Sequence, residues 1–368
     1  MVQGVLGQKS KTGVGTVGGV VLVIVFLLSA AYASKEDKRT ATLPPPPDLL
    51  LQGGRKLAYE RSFSSDRDVR KKPGFLGKVV NIIAGEPELH PMVRPYSIVV
   101  DSRGRAIITD PGAAGVHIFD FARNKYKFLE RRAKSKDAML APQCVAVDDH
   151  DNIYVTDSAA GKIFVFNTDG KYQHALGSLK GGEGFFKRPT GIAVDSSAQR
   201  IYITDTLRDK IFVLDFQGQV IESIGGHGDE SGKFNFPTEL RLKGQEMAVV
   251  DAMNFRVQLL DRRGTVHASI GHIGDSSGST FRPKGVAVDS EGHYYVVDGL
   301  WAVVQVFDRD GRLLFYFGKK GTGAGDFQLP AGLFIDSDDR IYVVDSYNRR
   351  VQVFRYFGAQ NRPGRGSQ

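Results

Sequence analysis

Cysteine is almost absent from this 368-residue chain, and acidic residues are fewer than basic ones. Because Cys144 is the only cysteine, no intramolecular disulfide can form, which argues against a small secreted module held by disulfides. Cys144 also lies far from the N-terminus, so there is no cysteine for lipid attachment of the bacterial lipoprotein kind. The 49 basic and 41 acidic residues give a formal net charge of +8, whose meaning depends on where the charges lie.

Glycine and aromatic residues are plentiful instead. The 43 glycines, 23 phenylalanines and 13 tyrosines are spread along the chain, as in proteins built from many short strands joined by tight turns. A hydrophobic content of 41% is enough for a substantial core. The composition therefore predicts a globular all-β fold.

The first 33 residues have the order of a secretory signal peptide. Lys9 and Lys11 precede an uncharged run at residues 12–34, and Ala31-Tyr32-Ala33 resembles a cleavage site. The run could also span a bilayer as an uncleaved anchor, and flanking charge does not decide between the two. Either way, we expect the remaining chain to be extracytoplasmic, that is, periplasmic or secreted. Cleavage would lower the net charge from +8 to +6, because the two lysines are the only charged residues removed.

Two further segments are not expected to join a core. Residues 34–56 contain four consecutive prolines, 44 to 47, which is typical of a semi-rigid linker. Residues 358–368, GAQNRPGRGSQ, are expected to form a disordered tail. Residues 57–357 remain as one predicted domain.

Six copies of one pattern fill that domain. The third copy reads RPTGIAVDSSAQRIYITD (188–205), and the fifth reads RPKGVAVDSEGHYYVVD (282–298). Their prolines fall at 95, 142, 189, 237, 283 and 330, and their closing aspartates at 110, 157, 205, 251, 298 and 345. A period near 45 that contains four short strand patterns is typical of a propeller blade.

The recurring P-x-G-[IV]-A-V-D, I-Y-V-x-D and V-x-V-F-D segments resemble the NHL repeat, as in an exported bacterial NHL-repeat protein. The resemblance implies a six-bladed β-propeller. The sixth copy lacks a fourth strand, and LAYERSFSS (57–65) resembles the fourth strands elsewhere, so we predict that it closes blade six. Residues 73–85 have helical apolar spacing and are predicted to form a short helix, with another strand as the alternative.

The closing aspartates are predicted to be structural. An asymmetric catalytic site needs one special blade, whereas a fold needs the same cap in all six. An aspartate that ends a strand can accept backbone N–H bonds in the following loop.

Chain direction places the loops before each proline and after each closing aspartate on one face, which propellers commonly use for binding. That face is rich in basic residues with aromatic residues among them: Arg94, Lys187, Arg188, Arg208, Lys210, Arg256, Arg282, Lys284, Arg349 and Arg350, with Tyr96, Phe255, Trp301 and Tyr347. Such a face suits an anionic ligand, a polyanion or an acidic protein, unless these are ordinary surface residues. NHL proteins of the tripartite-motif family bind RNA with a similar face, but the expected export argues against nucleic acid here.

Some similar propellers are enzymes, namely peptidyl-hydroxyglycine lyases and calcium-dependent lactonases. The lyase pattern has metal-binding histidines directly after the blade prolines. None of those positions is a histidine here, so a zinc site of that type is disfavoured; the residues are Tyr96, Gln143, Thr190, Thr238, Lys284 and Ala331. A lactonase-like calcium site would need axial oxygen ligands, for which the candidates are Glu239, Asn254 and Asn348, with ordinary loop residues as the alternative.

The fourth copy departs from the pattern. PTELRLKGQEMAVVD (237–251) has Glu239, Arg241 and Lys243 where its neighbours have glycine, alanine or valine, and aspartate. An arginine near a crowded axis must reach solvent or pair with an acid, for which Glu239 is a candidate, unless this blade has simply drifted.

The leading hypothesis is a non-catalytic exported binding scaffold whose basic and aromatic face holds a protein or an anionic component of the cell envelope. The alternative is a calcium-dependent hydrolase or lyase with its site at the channel mouth. No cofactor is predicted for the scaffold. Calcium is the metal expected for the alternative. The predicted binding residues are Arg208, Glu239, Arg241, Asn254, Arg256, Trp301, Tyr347 and Arg349.

Overall fold

The computed structural model describes residues 45–70, 89–131 and 138–358. The N-terminal segment 1–33, the linker up to residue 44, the helix predicted at 73–85 and residues 359–368 lie outside this range. Within the described residues, no helix has the length and apolar character needed to cross a membrane. Apart from three short 3₁₀ turns at Gln52–Gly54, Asp66–Asp68 and Ala252–Asn254, the regular structure of the described chain is β-strand.

The strands form six antiparallel sheets, which are the six predicted blades. Blade one contains β3 (Ser97–Val100), β4 (Ala106–Asp110), β5 (Gly115–Asp120) and β6 (Lys125–Glu130). Blade two contains β7 (Pro142–Val147), β8 (Ile153–Asp157), β9 (Lys162–Phe166) and β10 (Tyr172–Leu176). Blade three contains β11 (Pro189–Asp195), β12 (Arg200–Asp205), β13 (Lys210–Leu214) and β14 (Val220–Gly225).

The second half of the ring follows the same order. Blade four contains β15 (Pro237–Lys243), β16 (Glu246–Asp251), β17 (Arg256–Asp261) and β18 (Val266–Ile270). Blade five contains β19 (Pro283–Val288), β20 (Tyr294–Asp298), β21 (Val303–Phe307) and β22 (Leu313–Phe317). Blade six contains β23 (Leu333–Ile335), β24 (Arg340–Asp345) and β25 (Arg350–Phe357), joined by β2 (Lys56–Phe63) and β1 (Leu49–Leu50) from the N-terminal side.

The N-terminal strand closes blade six, as the sequence predicted. β2 pairs with β25 from Lys56↔Phe357 to Phe63↔Val351, so residues from both ends of the domain share one sheet. The Phe63 ring then packs against Phe119 of blade one, with ring centres 5.1 Å apart. The pairing covers the edge of β25 that an open seam would leave exposed.

Buried apolar side chains fill the spaces between neighbouring blades. The described residues form six core clusters, each shared by two adjacent blades; one, for example, joins Val99 and Ile107 of blade one to Val145 and Phe164 of blade two. The alternation of each strand sends successive side chains to opposite faces of its sheet, and so to the two neighbouring blades. Each fully buried Val, Ile or Phe contributes roughly 1.5–3 kcal/mol to the ring.

Inner strands approach one another so closely that three blades use glycine near the axis. A Cβ on Gly191 would lie 2.5 Å from the Thr238 carbonyl oxygen, and one on Gly332 would lie 2.5 Å from that of Tyr96. Gly285 is in the same position against Ala331. The small residues in the repeat therefore reflect convergence of the inner strands.

The six closing aspartates are fully buried and act as caps. Asp298, for example, accepts hydrogen bonds from the backbone N–H of Leu300 at 3.0 Å, in the following turn, and of Phe281 at 2.7 Å, before the blade proline. The first bond was predicted, and the second was not. One carboxylate thus joins two loops, which fixes both on the same side of the ring.

Candidate functional site

The upper face is the surface formed by the loops that precede the blade prolines and those that follow the closing aspartates. Exposed apolar side chains are concentrated there: Val93, Leu140, Leu207, Phe236, Met253, Phe281, Leu300, Trp301 and Tyr347. Exposed apolar groups that form a contiguous patch on one face are typical of interaction surfaces, which makes the upper face the candidate site.

A cleft of about 560 Å³ opens in the upper face beside the axis. One wall of this axial cleft is apolar and consists of Phe236, Ala252, Met253, Phe255, Phe281 and Leu300. Its axial side is polar and includes four residues that follow blade prolines, Tyr96, Gln143, Thr190 and Thr238. Three cations complete the lining: Arg188, Arg282 and Lys284.

Among the residues that the structure describes, no acidic side chain lines the axial cleft. Within the described residues, none forms an ion pair with Arg188, Arg282 or Lys284 either. The Lys284 ammonium lies 5.6 Å from the centre of the Tyr96 ring. Burial, together with the neighbouring positive charges of Arg282 and Arg94, lowers the pKa of Lys284 to about 8. The cleft therefore carries positive charge that no acidic side chain among the described residues balances.

One hydroxyl group of the cleft lining is buried without a hydrogen-bond partner, Thr238 Oγ1. Thr190, at the position in blade three that matches Thr238, instead bonds to the hydroxyls of Thr204 and Thr206 at 2.9 and 2.7 Å. Since most buried polar groups have partners, the axial side of the cleft retains hydrogen-bonding capacity for something else.

Blade four places a charged pair on the axis. Glu239 is buried, and its Oε1 lies 2.6 Å from Nη2 of Arg241. The same Arg241 nitrogen donates to the carbonyl oxygens of Ile98 in blade one at 3.2 Å and Leu333 in blade six at 3.0 Å. Arg241 therefore crosses the axis, and the predicted pairing with Glu239 is present in the structure.

Burial raises the pKa of Glu239 to about 7, although Arg241 acts in the opposite direction. Removing a carboxylate from water disfavours its charged form, and a single cation offsets only part of that penalty here. Near neutral pH, this carboxyl group is therefore divided between its protonated and ionised forms.

The lone cysteine is a core residue of the inner ring. Cys144 is buried in the position that glycine occupies in blades three, five and six. Burial raises the pKa of its thiol, and the charge of Glu239 raises it further. A buried thiol with a raised pKa lacks the thiolate character of a nucleophile.

Two predicted binding residues, Asn254 and Arg256, form an internal cluster around the closing aspartate of blade four. Their side-chain nitrogens donate to Asp251 Oδ2 at 2.8 and 2.9 Å. They also reach the loop that joins blades three and four, where Asn254 donates to the Gly228 carbonyl and Arg256 to that of Glu230. Both side chains thus fix a loop to the blade.

The oxygen ligands considered for calcium have different surroundings. Glu239 is paired with Arg241, whereas the Asn254 and Asn348 amides donate to closing aspartates of blades four and six. One trio within the described residues, Asp148, Asp149 and His150, has ligand atoms close enough to share a metal, but it lies on the opposite face. Asp148 already accepts bonds from backbone N–H groups of its own turn.

The other predicted binding residues lie on the upper face. Arg208 pairs with Asp205 at 3.3 Å and stacks over the Phe185 ring, 4.8 Å from its centre. Tyr347 is exposed, and its hydroxyl accepts a hydrogen bond from Arg94. Trp301 and Arg349 are exposed.

The sequence interpretation missed most of the apolar wall. Phe255 was placed on the face, but Phe236, Met253, Phe281 and Leu300 were not considered. Their signal was a bulky apolar residue in a loop next to a blade proline or a closing aspartate, where burial is not available. Phe236 and Phe255 also have a φ of 56°, a left-handed conformation that costs an L-residue roughly 1–2 kcal/mol.

Comparisons with known proteins agree with this architecture. A family model described as a 6-bladed beta-propeller matches residues 134–225 and 284–359. Virginiamycin B lyase from Staphylococcus aureus is similar in structure, with a TM-score of 0.53 and 14% identity over 82% of this chain and 99% of that one. An auxiliary nutrient binding protein from Bacteroides thetaiotaomicron has a TM-score of 0.56 and 11% identity over 72% of this chain and 69% of that one.

Sequence comparison with curated proteins gives no significant match. The blade count, sheet topology and family model identify the chain as a six-bladed β-propeller protein. This class is compatible with the NHL resemblance. At these low identities, the structural likeness shows the fold alone.

Proposed function

We propose that the protein is an exported, non-catalytic binding scaffold that holds an anionic partner, a protein or another component of the cell envelope, on its upper face. One observation carries the proposal. Three cations that have no acidic partner in the described part of the chain line a cleft in the face that also carries exposed apolar side chains such as Phe236, Met253 and Trp301. An unbalanced positive surface attracts and orients an anionic partner, while the apolar groups supply area to bury.

The fold itself does not choose between binding and catalysis. Among the similar structures, one is described as a nutrient binding protein and another as a lyase. The choice of binding therefore rests on the composition of the upper face.

Matched charge variants test the upper face. We would capture partners from membrane and soluble fractions with the full-length protein, with an upper-face variant (Arg188, Arg282 and Arg349 to Ala) and with a lower-face variant (Lys171, Arg263 and Arg309 to Ala). Each variant loses three exposed charges. Arg256 is left intact because it binds Asp251.

We expect wild type and the lower-face variant to retain the same partner at low salt, and the upper-face variant to lose it. Retention by all three proteins would contradict the proposal. So would the failure of wild type to bind anything at low salt, where charge attraction is strongest.

Export is part of the proposal and rests on the basic, apolar and small-residue order of residues 1–33. Mass spectrometry of the protein from producing cells, after separation of cytoplasmic, periplasmic and membrane fractions, tests it. We expect the N-terminus to begin near residue 34 or, for an anchor, an intact N-terminus in the membrane fraction. An intact protein in the cytoplasm would contradict export.

The hydrolase or lyase hypothesis makes a separate prediction about metal content. It requires a stoichiometric divalent ion, with calcium the expected one. Metal analysis of protein purified without chelators checks this directly, and a ratio far below one ion per chain would contradict it.

A further inference from the structure

We propose that the axial cleft binds a small amphipathic anion, in which one carboxylate or sulfonate group is joined to an aromatic ring or a short acyl chain. The inference deepens the proposed function and rests on it, because it assigns a ligand class to one part of the upper face. It follows from three properties of the cleft: its charge, its apolar wall and its unused hydrogen-bonding groups.

The charged end of the ligand is assigned to Lys284. Its ammonium is partly buried beside Tyr96, while Arg188 and Arg282 line the same cleft and are more exposed. A partly buried cation without an acidic neighbour gains more from a bound anion than one in open water, because screening is weaker there. This arrangement suits one anionic group bound at the partly buried Lys284, with the two exposed arginines at the rim of the cleft.

The apolar end is assigned to the opposite wall. Phe255 and Phe281 meet edge to face, with ring centres 5.9 Å apart, and Met253 and Phe236 stand beside them. Phe236, Met253 and Phe281 are each at least 40% exposed, so their apolar surface is not used inside the protein. A ring or chain laid on this wall would remove that surface from water.

Hydrogen-bonding groups lie between the two ends. Thr238 Oγ1 is buried without a partner and belongs to a residue that lines the cleft. The cleft volume of about 560 Å³ falls within the range of roughly 300–1,000 Å³ that is usual for small-molecule sites. Size, polarity and charge thus agree on a small ligand in this cleft.

A pair of fluorescent probes tests the ligand class. The anionic probe 8-anilinonaphthalene-1-sulfonate and the neutral N-phenyl-1-naphthylamine share the anilinonaphthalene body and differ in the sulfonate. We would titrate each into the full-length folded protein and into three variants: Lys284→Met, Phe281→Ala and, as a lower-face control, Arg309→Met. Circular dichroism would first show that each variant is folded.

Wild type should bind the anionic probe at one site and more tightly than the neutral one. Lys284→Met should lower the affinity for the anionic probe about 10-fold or more and leave the affinity for the neutral probe nearly unchanged. Phe281→Ala should weaken both probes, and Arg309→Met neither. Equal binding of both probes by wild type, or an unchanged anionic probe in folded Lys284→Met, would overturn the inference.

The pH dependence of the affinity for the anionic probe gives a second readout. Because the pKa of Lys284 is lowered to about 8, the ammonium is lost as the pH rises through that value. Affinity for the anionic probe should fall over this range in wild type and stay flat in Lys284→Met. Parallel pH profiles for the two proteins would also overturn the assignment to Lys284.

The partner-capture experiment keeps the two proposals separable. Lys284 is not altered in the upper-face variant, although two of its three changes, Arg188 and Arg282, lie in the cleft lining. If the upper-face variant loses the captured partner but wild type does not bind the anionic probe through Lys284, the ligand class is rejected and the scaffold function is retained. Probe binding without any captured partner would do the reverse.

Discussion

Blades four and six share one side-chain cluster around the closing aspartate but differ on the axis. DAMNFRVQ (251–258) and DSYNRRVQ (345–352) share aspartate, asparagine, arginine and glutamine at the same positions. In each blade, the other three side chains donate to the closing aspartate. On the axis, TELR (238–241) in blade four replaces AGLF (331–334) in blade six.

The difference separates what the ring needs from what one blade adds. A cluster that recurs in two blades and fastens the preceding loop belongs to the fold. The Glu239–Arg241 pair occurs once, and Arg241 reaches the Leu333 carbonyl of blade six itself, with its guanidinium 5.9 Å from the Phe334 ring centre. Blade four is thus hydrogen-bonded near the axis to blade six, which shares its side-chain cluster.

The largest effect is expected from breaking the shared cluster. Asp251→Ala and Asp345→Ala each leave a partly buried arginine, Arg256 or Arg350, without its carboxylate. We expect each change to lower the free energy of unfolding by about 4 to 5 kcal/mol. Denaturant unfolding checks this, and costs that differ by more than about 2 kcal/mol would show that the clusters are not equivalent.

Replacing the axial pair should cost slightly less and reveal coupling. Arg241→Phe copies blade six at one position but leaves Glu239 buried without its cation, at an expected cost of about 3 to 4 kcal/mol at pH 8. Adding Glu239→Gly completes the blade-six pattern and should recover at least about 1 kcal/mol, measured in a double-mutant cycle. Additive costs would mean that the two side chains do not stabilise each other.

Glu239 of blade four should make stability depend on pH near neutrality. Burial raises the pKa of Glu239 from 4.5 to about 7, so the folded state binds this proton more tightly than the unfolded state. The stabilisation is complete below about pH 4.5 and is lost as the pH rises through 7, an effect of about 3 kcal/mol. Comparing denaturation curves of wild type and Glu239→Gln between pH 5 and 8 isolates it, and identical pH profiles would contradict the assignment.

The smallest effect is expected at the cluster's asparagines. Asn254→Ala and Asn348→Ala each remove two hydrogen bonds, one to the closing aspartate and one to a loop carbonyl. Because the arginine and glutamine remain, we expect about 1 kcal/mol for each. Thermal unfolding of the two variants should give equal shifts, and a loss at only one blade would break the proposed equivalence.

Repetition explains why the fold could be predicted. The prolines, closing aspartates and small inner residues recur because every blade solves the same packing problem, so one sequence yields six observations of each rule. Even the exceptional strand at residues 57–65 could be placed, because the sixth copy lacked its fourth strand. The second role of the aspartates was missed because their acceptor atoms reach loops that precede the blade.

The candidate site was predicted less completely, because a site depends on single residues rather than on recurrence. Charge pointed to the face that contains the axial cleft, but it did not distinguish Arg256, which binds an internal carboxylate, from Lys284, which has no acidic partner among the described residues. Both are basic residues beside a blade boundary. Only the three-dimensional hydrogen-bond pattern separates them.

Closure of the ring by β2 has a consequence for biosynthesis. β2 leaves the ribosome before any blade, yet its partner β25 lies roughly 300 residues later, which at about 5–20 residues per second is a wait of about 15–60 seconds. During that time β2 is an unpaired edge that could join other chains. Its sequence KLAYERSF carries Lys56, Glu60 and Arg61, and charges of this kind disfavour the pairing of an edge strand with other chains.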